Sequence, residues 1–114
     1  MVKGLGGFGD LSKMMAAARD MQGKVEEMQA GLERLEVEGQ AGAGMVKATA
    51  NAKGELLRLA VDPSLFREED REVVEDLIVA AVRDAQSRAK DAARAEAERM
   101  AAGFGLPPGM KLPF

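Results

Sequence analysis

The sequence contains no cysteine and no histidine. Without cysteine there is no disulfide and no thiolate metal site, and a reducing compartment is the natural setting. Without histidine, the commonest general acid/base and the commonest metal ligand are both missing. Tryptophan and tyrosine are absent too, leaving four phenylalanines as the only aromatic residues. No apolar run approaches the roughly 20 residues that a membrane-spanning helix needs. The opening stretch Met1-Val2-Lys3-Gly4-Leu5-Gly6-Gly7-Phe8-Gly9 is too rich in glycine, and too short in apolar run, to be a secretory signal. A basic excess, which by itself would point to nucleic acid, is also lacking, because the formal net charge is -3. Together these absences argue against an enzyme, a cofactor, a bound metal, a small-molecule substrate and a membrane span. The expectation is a cytoplasmic binding protein.

What is present is Ala, Leu, Val and Met in long patterned stretches over 114 residues, the length of one domain covering 1–114. Residues 1–9 read as a flexible Gly-rich arm. Asp10 or Ser12 can cap a helix over 10–35, whose apolar residues Leu11, Met14, Ala18, Met21, Val25, Met28, Leu32 and Leu35 follow an alternating spacing of 3 and 4. That is an unbroken heptad seam, to be buried in a core or a dimer interface. The period then changes. Residues 36–61 read as three short strands separated by the turn signals Gly42-Ala43-Gly44 and Asn51-Ala52-Lys53-Gly54, an antiparallel meander. Leu57, Leu59 and Val61 fall on one face of the third strand and Arg58 on the other. Asp62-Pro63-Ser64 ends the sheet. A second helix is expected over 68–102, with an acidic start from Glu68 to Asp76 that suits its dipole and an apolar stripe of Val73, Val74, Leu77, Ile78, Ala81, Val82 and Ala85 that thins thereafter. Gly103 stops it, and 103–114 reads as an extended tail. The fold class is therefore α+β: long helix, three-stranded meander, long helix. A first helix of about 25 residues is roughly 37 Å long, about twice the length of a short strand. The overhanging seams call for a partner, and a two-fold homodimer is the commonest solution.

The run Val61-Asp62-Pro63-Ser64-Leu65, followed by Val74-Glu75-Asp76-Leu77-Ile78-Val79-Ala80-Ala81-Val82-Arg83-Asp84-Ala85, resembles the YbaB/EbfC family of bacterial nucleoid-associated proteins. So do Met21-Gln22-Gly23-Lys24-Val25, the stretch from Gly39 to Asn51, and the ending Leu106-Pro107-Pro108-Gly109-Met110-Lys111-Leu112-Pro113-Phe114. The resemblance spans nearly the whole chain. It implies a tweezer-like homodimer, binding to duplex DNA, association with the nucleoid and no catalysis. The chain departs from the family at Ala16 and Glu27, where members often carry Lys, so its first helix is less basic than is typical.

The residues that could meet DNA are Lys13, Arg19 and Lys24 on the first helix and Arg83, Arg88, Lys90, Arg94 and Arg99 on the second, through phosphate contact and counterion release. Each also has a plainer reading as part of a solvated, salt-bridged helix face, which the Asp20–Lys24 spacing favours for the first helix. Arg83, Lys90 and Arg94 share one side of the second helix with Ser87 between them. Lys3, Lys47, Lys53 and Lys111 are weaker candidates. The Gly4-x-Gly6-x-x-Gly9 spacing follows no strand, so it is not a nucleotide loop. A second functional reading makes the same dimer an adaptor for DNA repair or replication proteins, which the net negative charge favours.

Overall fold

The computed structural model describes residues 2–103, with side chains from residue 9 onward. Its order is α1 (Val2–Arg34), β1 (Glu36–Ala41), β2 (Val46–Asn51), β3 (Leu56–Val61), two short 3-10 turns (Pro63–Leu65 and Glu68–Asp70), and α2 (Arg71–Gly103). This is the α+β arrangement that the change in hydrophobic period predicts. The chain divides after Ala30 into two compact units.

The first unit consists of helix. It begins at Val2, so residues 2–9 of the expected arm are helical and neither Asp10 nor Ser12 is the helix cap. Glycine weakens a helix by roughly 1 kcal/mol per residue without forbidding it, and no proline intervenes to fix φ. Along the heptad seam, Leu11, Met14 and Met21 are half or more exposed in the single chain, and Val25 and Met28 are half-buried.

The second unit begins with the last turn of α1. Leu32 is buried there, while Leu35 falls just beyond the helix and is exposed. The sheet has the order β1-β2-β3, antiparallel throughout. Ala48 pairs with Gly39 on one side and Leu59 on the other, and Val46 with Ala41 and Val61, so these residues share the face that meets α2. The register slips between Thr49 and Ala50, so that Leu56 stands opposite Ala50 and Leu57 is the extra residue of a bulge. The face expected to hold Leu57, Leu59 and Val61 therefore holds Leu56, Leu59 and Val61.

The core is built from small side chains. Val46, Ala48 and Ala50 of β2 meet Ala81 and Ala85 of α2, with Leu65 closing one end. Such residues let the helix lie very close to the sheet. At Gly39 a Cβ would stand 2.1 Å from the Ala85 backbone nitrogen, so no larger residue fits. Burial on α2 runs beyond Ala85, since Ala89 and Ala101 are also buried, whereas Val73, expected on the apolar stripe, is exposed. Next to the Gly39 contact, the backbone N–H of Gln40 donates to Asp84 Oδ2 at 3.0 Å. That bond, with a second from Arg88 Nε, holds the Asp84 carboxyl below the usual carboxylate range. The ionised latch is present at neutral pH and is lost as pH falls through that lowered value.

α2 covers β1 and β2 but leaves β3 open. Leu56, Leu57 and Leu59 are each more than two-fifths exposed. Gly39→Ala is expected to destabilise the fold by about 3 kcal/mol, measured as a lower urea midpoint with an unchanged m-value. Wild-type stability in this variant would mean that α2 can back away from the sheet.

Candidate nucleic-acid interface

The cations proposed from the sequence sort by their partners. On α1, Lys24 Nζ lies 3.5 Å from Asp20 Oδ2, while Lys13 and Arg19 are exposed and have no ion pair among the described residues. On α2, Arg88 pairs with Asp84 at 3.2 Å, Arg94 with Asp91 at 3.7 Å, and Arg99 with Glu96. Arg83 and Lys90 are exposed and have no ion pair among the described residues. Exposed pairs of this kind are weak, roughly 0–1 kcal/mol each, so the paired arginines remain able to exchange partners.

Arg83 and Lys90 line an open groove of about 600 Å³ together with Gln86, Ser87 and Ala93 of α2 and Ala52, Lys53 and Gly54 of the β2–β3 turn. Of the residues that helical spacing puts on one side of α2, Arg83, Ser87 and Lys90 line the groove and Arg94 does not. Lys53 gains importance over its sequence reading. No local pattern links it to α2, because the pairing depends on where the turn lands in three dimensions.

That turn is held firmly by Asn51, the one buried polar residue among those described. Its Oδ1 accepts from the backbone N–H groups of Lys53 and Glu55 at 3.0 and 3.1 Å, and its Nδ2 donates to Glu55 Oε1 at 2.8 Å. Gly54 closes the turn at φ +89°, a conformation that favours glycine. On the other side, the Ala52 N–H donates to the Leu32 and Leu35 carbonyls at 3.0 and 2.8 Å, which satisfies the end of α1. Asn51 therefore cannot serve as a base-reading side chain. Lys53 Nζ donates to Glu33 Oε1 at 3.0 Å, and that hydrogen bond and charge raise its pKa above the ordinary lysine value.

The acidic residues gather elsewhere. Glu68, Glu69 and Asp70 form the 3-10 turn before α2, where Arg67 donates to Glu69. Arg71 and Lys90 are separated by roughly 28 Å along the helix at 1.5 Å per residue. Among the described residues, no group of three or more acidic, histidine or cysteine side chains is arranged to hold a metal ion, and no helix is long and apolar enough to cross a membrane.

The described residues thus show a helix, a three-stranded antiparallel sheet and a second helix, with an open groove lined by Lys53, Arg83 and Lys90. Residues 7–104 match the YbaB/EbfC DNA-binding family, and the chain belongs to it. Among its relatives, a nucleoid-associated protein of Methylocella silvestris is 47% identical over 105 residues, covering 92% of this chain and 98% of the relative. One from Granulibacter bethesdensis is 50% identical over the same length and coverage. An uncharacterized Helicobacter pylori protein of known crystal structure has the same fold, with a TM-score of 0.67 at 24% identity over 78% of this chain and 94% of that one.

Asn51→Ala leaves the Lys53 and Glu55 amides without their acceptor and is expected to cost about 1–3 kcal/mol. Thermal unfolding and faster hydrogen exchange at the Lys53 and Glu55 amides would register the loss. Unchanged exchange at those amides would show that the turn does not depend on the Asn51 side chain.

Proposed function

We propose that this chain is a cytoplasmic, nucleoid-associated protein that binds duplex DNA as a homodimer, mainly through phosphate contacts. The observation that supports the reading best is the placement of cations on α2. Arg83, Arg88, Lys90, Arg94 and Arg99 are strung along the part from residue 83 onward, and although Asp84, Asp91, Glu96 and Glu98 lie among them, Arg83 and Lys90 have no ion pair among the described residues and line a groove with no carboxylate. A chain of net charge -3 can thereby offer DNA a locally basic surface. Lys13, Arg19 and Lys24 on α1 are the secondary contacts. Binding of this kind reads backbone charge and duplex shape more than base edges. Membership of a DNA-binding family, and relatives named as nucleoid-associated proteins, support the same reading.

The homodimer is supported by what the single chain leaves uncovered. Leu56 and Leu59 lie on the helix-facing side of the sheet but beyond the reach of the chain's own α2. The exposed part of the α1 seam, Leu11, Met14 and Met21, is of the same kind. A second copy is the simplest cover for both, and two such copies arranged as a tweezer would pool their basic α2 faces.

A second reading is favoured by Phe66, Val73 and Val79, which are half or more exposed and lie on or just before the acidic end of α2. They suit a protein partner, such as a DNA repair or replication protein, better than a phosphate backbone.

Fluorescence anisotropy with a random-sequence duplex across a salt series separates the readings. Phosphate-led binding weakens linearly on log–log axes with a slope of about 0.9 per contact. Absence of binding at low salt, with the dimer intact, would put the protein-partner reading first. For the dimer, Leu59→Glu is expected to halve the mass measured by light scattering; an unaltered mass would remove β3 from the interface.

A further inference from the structure

We infer that the groove between the β2–β3 turn and α2 is a seat for successive phosphates of one DNA strand, an assignment that rests on the DNA-binding reading above. Three cationic side chains converge on it: Lys53 from the turn, and Arg83 and Lys90 from α2. No carboxylate lines it, although acidic residues outnumber basic ones in the chain by 19 to 16. Arg83 and Lys90 are not engaged with a carboxylate among the described residues, so an incoming anion displaces no ion pair from them. Lys53 commits one of its three ammonium donors to Glu33 and keeps two.

The donors in the groove come from side chains. The Lys53 and Gly54 amides are already bonded to Asn51, and Gln86 Nε2 donates to the Gly54 carbonyl at 3.4 Å. The backbone thus supplies a fixed rim, and Ser87 adds a hydroxyl between the two helix cations. Ala52 and Ala93 line the groove without bulk, and nothing lies within 4 Å of where a Gly54 Cβ would project, so the opening is clear.

The spacing suits a polymer. Arg83 and Lys90 are two turns apart on one face of α2, about 10.5 Å along the axis. A phosphodiester backbone lying along the helix can present a separate phosphate to each cation, whereas one small anion would have to draw both long side chains inward. The groove therefore sets the register of the backbone against α2, with the turn as a stop on one side.

The test uses the full-length chain. Anisotropy on a 20-base-pair duplex across a potassium chloride series compares the wild type with Arg83→Gln/Lys90→Gln and with Arg71→Gln, which alters an exposed cation at the start of α2. The double variant is expected to reduce the log–log salt slope by about 1.8 for each protomer that engages the duplex, two contacts at about 0.9 each, while Arg71→Gln leaves it unchanged. In amide NMR, the duplex should shift Gly54 and Ser87. Ser87→Glu, which adds a negative charge to the groove on an exposed helix position, gives a second variant should the first fold poorly, and is expected to weaken binding at least tenfold. Duplex binding with a wild-type slope in the double variant, or with wild-type affinity in Ser87→Glu, overturns the assignment and leaves DNA binding standing. If the wild type itself ignores the duplex, the DNA reading fails, and inorganic phosphate then decides the groove. Saturable shifts at Gly54 and Ser87 would keep it as an anion seat, and their absence would remove it.

Discussion

The close approach of α2 to the sheet at Gly39 and Ala85 governs the second unit of this protein. With no side chain at Gly39 and only methyl groups at Ala48, Ala50, Ala81 and Ala85, the helix lies almost on the strand backbone. Close packing of this kind gains dispersion contacts along the whole length of the contact. It also leaves no slack, because a single added methyl group has nowhere to go. The Asp84–Gln40 hydrogen bond is possible only because the helix is so near, and it adds a directional contact to a non-directional one. The same geometry carries α2 past the β2–β3 turn, where Gln86 reaches the Gly54 carbonyl and the basic groove opens.

Much of this was legible in the sequence. The heptad spacing from Leu11 onward, the shift to alternating strands after Glu36, and the turn residues at Gly42–Gly44 and Asn51–Gly54 are local signals, and they yield the element order. The start of α1 was not legible, because four glycines among the first nine residues resemble an arm while lacking a proline to stop a helix. The bulge that exchanges Leu57 for Leu56 was hidden as well, since three leucine positions in β3 satisfy alternation in either register. The core of α2 was only partly visible because alanine is a weak hydrophobic signal, and Ala89 and Ala101 become informative only once their burial is known.

The candidate site divides along the same line. Helical spacing groups Arg83, Ser87 and Lys90, since that is a property of one element. The pairs of Arg88, Arg94 and Arg99 follow the same short spacing, each with an acid three or four residues before it. Spacing within one helix cannot bring Lys53 across from another element, which takes tertiary contact. Net charge, the crudest summary of the chain, points away from DNA because it counts every acid and ignores that none of them lines the groove of Lys53, Arg83 and Lys90.

The two margins of the sheet are unlike, and this limits how copies of the chain can add to one another. On β1, a carboxylate from α2 occupies an outward-facing amide, the kind of charged plug that discourages strand addition. On β3, no such plug is found among the described residues, and Leu56, Leu57 and Leu59 are exposed beside Arg58. A sheet with two free margins can grow without limit into a ribbon. A sheet with one free margin, meeting its own copy there, is finished after a single addition.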